Sequence, residues 1–170
     1  VDFGAAVNRL ELIIQKYSRD LYAYCFSILI NREAAEDVCQ DLFVKLLSKP
    51  ELLNSTRNTR AWLLTAARNR CIDVLRSEQR ISSCDRVEEI PAESHSDPQL
   101  AILDDELAAA VRHALSRLKR EHREVLVLRD YNGMSYRHIA SHLNWDVEKV
   151  RWTLHQARVR LRDFMGDVYE

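Results

Sequence analysis

Arg151, Trp152, His155, Gln156 and Arg158 lie within residues 151–158, near the C-terminal end of the chain. Side chains of these kinds suit the reading of duplex DNA. An Arg guanidinium can hold guanine O6 and N7 with two hydrogen bonds, and a Gln carboxamide can do the same for adenine. To do so they must project from one rigid face. Residues 134–162 supply such a support: they read as a short helix, a tight turn and a longer basic helix. That is the pattern of a helix-turn-helix, whose second helix enters the major groove. Ser135 is placed to cap the first helix, because its hydroxyl can accept from an unpaired backbone N–H. Ile139, Ala140 and Leu143 recur at helical spacing and give it a buried side. Asn144 tolerates the left-handed conformation that ends a helix, Asp146 can cap the next one, and Glu148 suits its first turn. Val147, Val150, Leu154, Ala157 and Leu161 form the inward stripe. An amphipathic helix pair with a merely solvated basic face fits the same residues.

Two further polar groups stand in the first half of the chain. Glu36, Asp37, Gln40 and Asp41 cluster within two turns of a helix expected over about 33–48. Asp37 and Asp41 are four apart and share a face, where like charges repel unless something basic meets them. The group reads either as a solvated stripe or as a docking surface for a basic partner. The second group is Arg57, Asn58, Arg60, Trp62, Arg68, Asn69, Arg70, Arg76 and Arg80. Guanidiniums neutralise phosphates, and polar loops can hold unstacked bases, so this group suits single-stranded nucleic acid. With Trp62 in the core, the same arginines would be only a solvated face.

The elements that must position these groups are legible from punctuation. Apolar residues recur at helical spacing over 5–30 (Leu10, Ile13, Ile14, Tyr17, Leu21, Tyr24, Cys25, Ile28), over 33–48 (Ala35, Val38, Leu42, Leu46) and over 60–80 (Leu64, Ala67, Cys71, Val74, Leu75). Asn31 breaks and recaps the chain, Pro50 closes the second helix, residues 50–58 form a polar loop, and Thr59 can cap the third helix. Helices resume near 101–117, 120–131, 135–143 and 146–164. No segment alternates convincingly as a strand. With three Gly and three Pro in 170 residues, turns are few.

The net charge of −1 hides an uneven distribution. Residues 1–80 carry +2, residues 81–106 carry −7 and residues 107–170 carry +4. Two mildly basic ends therefore flank an acidic middle that also holds two prolines and several serines, the composition of a linker. Cys25, Cys39, Cys71 and Cys84 form no C-x-x-C pair and read as reduced cysteines of a cytosolic protein. No run of about 18 apolar residues suggests membrane insertion, and no signal peptide is evident. His138 and His142 are four apart, but no H-E-x-x-H pattern accompanies them, so neither a metal nor another cofactor is expected.

Three strings, AEDVCQDLFVKLL at 35–47, TRAWLLTAARNRCIDVLR at 59–76 and MSYRHIASHLNWDVEKVRWTLHQARVRLR at 134–162, together resemble the bacterial extracytoplasmic-function sigma factors, promoter-specificity subunits of RNA polymerase. The resemblance spans nearly the whole chain. It implies an all-α protein of two small helical domains: sigma domain two, of three-helix-bundle type, over 1–80, and sigma domain four, a helix-turn-helix, over 105–170. The acidic linker, 81–104, joins them. It implies no catalysis by the chain itself, and a cytoplasmic protein.

The resemblance also implies roles for matching positions. Asp37, Gln40 and Asp41 would dock on the clamp helices of the largest subunit of core RNA polymerase. Arg57, Asn58, Arg60, Arg68, Asn69 and Arg76 would open the promoter −10 element and hold a flipped base, with Trp62 mainly structural. Arg151, Trp152, His155, Gln156 and Arg158 would read the −35 duplex. An anti-sigma factor would hold the protein inactive. The chain departs from the family where Asn-Trp-Asp-Val-Glu-Lys-Val, residues 144–150, replaces the usual Gly-Cys-Pro-Val-Gly-Thr-Val, and where Trp152 replaces a small residue and Gln156 a basic one. These departures point to an unusual −35 sequence. Two other classes fit parts of the chain: a stand-alone helix-turn-helix regulator, which would bind DNA without polymerase, and a metal protein using His138 and His142.

Overall fold

A computed structural model describes residues 3–53, 58–84 and 105–166. The described residues contain seven α-helices and no strand: α1 (Phe3–Leu29), α2 (Arg32–Ser48), α3 (Thr59–Cys84), α4 (Asp105–Arg117), α5 (Arg120–Leu126), α6 (Tyr136–Leu143) and α7 (Val147–Gly166). The fold class expected from the sequence is the one observed.

Helices α1, α2 and α3 form a three-helix bundle. Helix α1 stops because Ile30 turns to φ 50, and its N–H reaches back to the Phe26 carbonyl at 2.8 Å. A β-branched residue in that region is strained, which marks a sharp, enforced corner. Asn31 then restarts the chain, its side-chain oxygen accepting from Ala34 N at 3.0 Å. The bundle core is Leu21, Tyr24, Cys25 and Ile28 from α1, Ala35, Val38, Leu42 and Leu46 from α2, and Leu63, Leu64, Ala67 and Cys71 from α3. All of these except Leu63 were placed inward by periodicity. Cys25, Cys39 and Cys71 are free and buried, and Cys39 Sγ lies 3.9 Å from Cys25 Sγ. Hydrogen bonding to Cys39 and Cys71, together with burial, pushes the Cys25 thiol far up, so it stays protonated as a small apolar filler.

Two boundaries differ from expectation. The cap of α3 is Asn58, whose Oδ1 accepts from Ala61 N at 3.1 Å, and not Thr59, which is already helical. The third helix runs on to Cys84, four residues into the segment read as linker. Pro50–Leu53 make a 3₁₀ turn inside the expected loop. The rest of the proposed linker, 85–104, lies outside the described residues.

The second bundle packs α5 against α7, α6 against α7 and α4 against α7. Where one helix was expected over 120–131, α5 widens after Leu126 into a π turn, Val127–Tyr131. Asn132 N closes that turn on the Val127 carbonyl at 2.8 Å. Gly133, at φ 66, then reverses the chain, a conformation that needs glycine. Every cap expected for the helix-turn-helix is formed. Ser135 accepts from His138 N at 3.2 Å. Asn144 is left-handed (φ 56, ψ 46), and Asp146 Oδ1 accepts from Lys149 N at 2.6 Å. Ile139, Ala140, Leu143, Val150, Leu154 and Ala157 are buried, while Val147 and Leu161 are half-buried against the same core.

The bundles also touch each other, with α1 packed on α5 and on the π turn. Nothing in the periodicity of either half announced this contact.

Candidate nucleic-acid interface

Helix α7 buries Val150, Thr153, Leu154 and Ala157, so residues out of phase with that stripe must face away from the core. Arg151, Trp152 and His155 are accordingly exposed, and Gln156 is half-buried. Trp152 is 64% exposed, an unusual position for an indole with no local packing to justify it. Arg151 sits 3.4 Å from Glu148 and 5.8 Å above the Tyr136 ring. Such exposed contacts orient a side chain without immobilising it. Arg158 differs from its neighbours: Asp130 holds it bidentately at 2.5 and 3.1 Å. Arg158 thus ties α7 to the π turn, and its freedom to reach a base is less than its exposure suggests. Of the residues that depart from the family pattern, Trp145 packs on the core beneath Lys149, whose Nζ is 4.0 Å from the ring. The turn accommodates it with its caps intact.

The arginines of α3 divide by helical phase. At about 100° per residue, Arg68 lies roughly 80° from Arg60, whereas Asn69 and Arg76 lie roughly 160–180° away. Arg60 and Arg68 face the second bundle. Arg60 pairs with Asp20 at 2.8 Å and donates to the Asn132 carbonyl. Arg68 pairs at 3.0 Å with Glu124, which is only 2% exposed and also meets Arg120 at 3.3 Å. Burial pulls the Arg68 guanidinium down, but attraction to Glu124 outweighs it and leaves the group firmly charged.

Asn69 and Arg76 are exposed, and Arg76 is only loosely associated with Asp73 at 3.9 Å. Asn58 spends its side-chain oxygen on the α3 cap. Arg57 lies outside the described residues. The five described residues of the six assigned to one single-stranded DNA site are therefore not gathered on one surface.

A groove of about 500 Å³ opens between α2 and α3, lined among others by Trp62, Thr65, Asn69, Arg70 and Asp73. Trp62 is half-buried and packs on the core with one side while lining this groove. Arg70 bridges to Asp41 of α2 at 3.1 Å. An aromatic wall with amide and guanidinium donors can receive an unstacked base.

Asp37, Gln40 and Asp41 are all exposed on α2, as their spacing required. The same face continues into Val44 and Leu47, which are large apolar residues left in water. The signal for these two was present in the sequence. They are apolar positions out of phase with the stripe Ala35–Val38–Leu42–Leu46, which already fills the inward side.

Two helical bundles, one ending in a fully capped helix-turn-helix, limit the families that fit. Residues 13–81 match the family described as Sigma-70 region 2, and residues 108–161 match Sigma-70, region 4. The ECF RNA polymerase sigma factor SigL of Mycobacterium tuberculosis is 34% identical over 166 residues, covering 94% of this chain and 92% of that protein. This chain belongs to the ECF sigma factors. The RNA polymerase sigma factor YlaC of Bacillus subtilis is 29% identical over 160 residues, covering 93% of this chain and 92% of that protein. Among solved structures, the sigma factor RpoE of Bartonella quintana, in complex with the anti-sigma factor NepR, has a TM-score of 0.78 at 24% identity, with 92% of this chain and 96% of that one covered. CnrH, in complex with the cytosolic domain of CnrY, has a TM-score of 0.62 at 21% identity, covering 97% and 95%. At these identities the likeness is one of fold. Members of this sigma family are transcription regulators. No described helix is long and apolar enough to cross a membrane.

Proposed function

We propose that this ECF sigma factor docks on core RNA polymerase through α2 and reads a two-part promoter. Helix α7 reads the −35 duplex, and the groove beside α3 holds an unstacked −10 base. The single observation that carries the reading is the outward face of α7, with Arg151, Trp152 and His155 exposed and Gln156 half-buried beside them, on a helix whose N-terminus is fixed by Asp146 and Asn144. The exposed α2 face supports the rest: carboxylates at Asp37 and Asp41 for a basic partner, with apolar area at Val44 and Leu47 to bury. The relatives solved with anti-sigma factors support a protein inhibitor as a further partner.

The energetics favour two short elements over one long one. Each well-read base pair contributes about 1–3 kcal/mol of discrimination. Opening a base costs a few kcal/mol, offset by capture in a pocket. With both modules carried by one polymerase, binding at the first element raises the effective concentration at the second. Trp152 brings an apolar surface to the groove, suited to a thymine methyl.

The test is run-off transcription from a randomised promoter library with purified core polymerase. Enrichment of two elements separated by a fixed spacer is expected. Transcripts independent of this protein, or tight palindromic DNA binding without polymerase in a gel shift, would refute the reading.

A further inference from the structure

Three buried cysteines meet in the core of the first bundle, one from each helix: Cys25 of α1, Cys39 of α2 and Cys71 of α3. Cys39 Sγ donates to Cys25 Sγ across 3.9 Å, so the two sulfurs touch with no atom between them. Cys25 is also hydrogen-bonded to Cys71. Cys25 and Cys71 are wholly buried, whereas Cys39 is 8% exposed, so solvent reaches the cluster through Cys39. Packing alone does not ask for sulfur at three touching positions. A buried Cys packs as a small apolar residue and differs from one in its reactivity. Among the described residues no group of three His, Cys, Asp or Glu side chains is placed to hold a metal ion. The chemistry open to the cluster is therefore thiol oxidation.

We propose that Cys25 and Cys39 are an oxidisable dithiol: a hydroperoxide converts the pair to a disulfide that pins α2 to α1 and disturbs the face of α2 that docks on polymerase. The cross-link stands on the geometry of the thiols, and its effect on docking rests on the role proposed above for Asp37, Gln40 and Asp41. Hydrogen bonding to Cys39 and Cys71, together with burial, holds Cys25 protonated in the reduced state, so Cys39 supplies the first nucleophile. Its sulfur, as thiolate, attacks the hydroperoxide. An S–O bond forms, the O–O bond breaks, Cys39 becomes a sulfenic acid and its thiol proton leaves on the alcohol. The Cys25 sulfur then attacks the Cys39 sulfur. The S–S bond forms, the S–O bond breaks, and the hydrogen kept on Cys25 departs with the hydroxide as water. Two thiols thus lose two electrons and two hydrogens, and one hydroperoxide is reduced to an alcohol and water. A disulfide holds its sulfurs about 2.05 Å apart, so the pair must close by roughly 1.9 Å from its present contact. Cys39 is next to Gln40 and two residues from Asp37 and Asp41. Ala35, Val38 and Leu42, which flank it on the inward side of α2, are buried and leave little slack, so the pull passes to the helix as a whole.

The test uses the full chain, reduced and then treated with hydrogen peroxide, with Cys84→Ser in parallel to remove the remaining thiol as a partner. Non-reducing peptide mass mapping should find Cys25 joined to Cys39, with a loss of about 2 Da per chain that a dithiol reductant restores. Cys25→Ala should stop at a Cys39 sulfenic acid, read as an adduct with dimedone. Cys39→Ala should take up no oxidant at this cluster. In a pull-down, the cross-linked chain should hold core polymerase about tenfold more weakly than the reduced chain, the loss of one strong interface contact, and reduction should restore it. No cross-link in the folded chain, a link joining another pair, or one formed only after urea unfolding overturns the proposal. So does a cross-linked chain that binds polymerase as the reduced one does. If either alanine variant loses helical circular dichroism, the wild-type peptide map decides alone. A reduced chain that never binds polymerase removes the docking reading, while the peptide map still reports whether the dithiol closes.

Discussion

Arg123→Met should uncouple the two modules, and the cost can be worked from its contacts. Helix α1 ends at Leu29, so its last carbonyls have no partner inside the helix. Arg123 reaches across from α5 and donates to two of them, Ser27 at 2.6 Å and Ile28 at 3.4 Å, and also to the Leu118 carbonyl in its own module. A cation at this end also meets the negative pole of the α1 dipole, worth up to ~2 kcal/mol when partly buried. Burial draws the Arg123 guanidinium below its usual range, which shows the desolvation cost that these bonds must offset. Methionine keeps the apolar volume and removes the donors. Two well-bonded carbonyls are then left buried, at about 1–3 kcal/mol each. Allowing for the charge no longer desolvated, the net loss is about 3 kcal/mol, or roughly 6–12 °C in Tm for a chain of this size. Arg123→Lys should lose about half, because one ammonium cannot span three carbonyls. Urea unfolding followed by tryptophan fluorescence reads both sides, since Trp62 reports the first module and Trp145 and Trp152 the second. A loss under about 1 kcal/mol, or one seen only in the second module, would refute the bridging role.

Acid should loosen the same contact. Burial, followed by the nearby Arg68 charge, pushes His142 down to about 4, whereas a freed imidazole titrates near 6.5. The separated modules therefore bind more protons between those values, so docking is complete above about pH 6.5 and weakens as pH falls toward 4; scattering across that range checks this, and His142→Ala should flatten the response. Arg151→Ala should cut −35-dependent transcription while leaving polymerase binding intact, whereas Asp37→Ala or Asp41→Ala should weaken polymerase binding and lower transcription with it; pull-down with core polymerase alongside run-off assays separates them. Asp146→Ala should cost about 1 kcal/mol of stability and weaken −35 binding more than that, because the cap also aims α7; thermal melting and an assay on a selected promoter compare the two effects.

The sequence by itself determined the helices, their inward faces and nearly every cap. Those features depend on neighbours within a few residues, which is why Asn31, Ser135, Asn144 and Asp146 behave in the structure as local rules require. It also placed Asp37, Gln40 and Asp41 on an exposed face, because a helical period fixes phase over four turns. Phase slips were small and physical: Asn58 took the α3 cap because its carboxamide reaches Ala61 N, and a π turn at Val127–Tyr131 absorbed one irregular turn. Only the tertiary structure decided which charges are spent on each other. Arg60, Arg68 and Arg158 looked equivalent to other basic residues until Asp20, Glu124 and Asp130 arrived beside them from elsewhere in the chain. His122, Arg123 and Glu124 form a polar run that a surface would suit, yet they are buried. That burial is tolerated because carbonyls at the end of α1 and a guanidinium of α3 partner Arg123 and Glu124 from the other module, a pairing set by shape and distance between bundles and written in no local pattern.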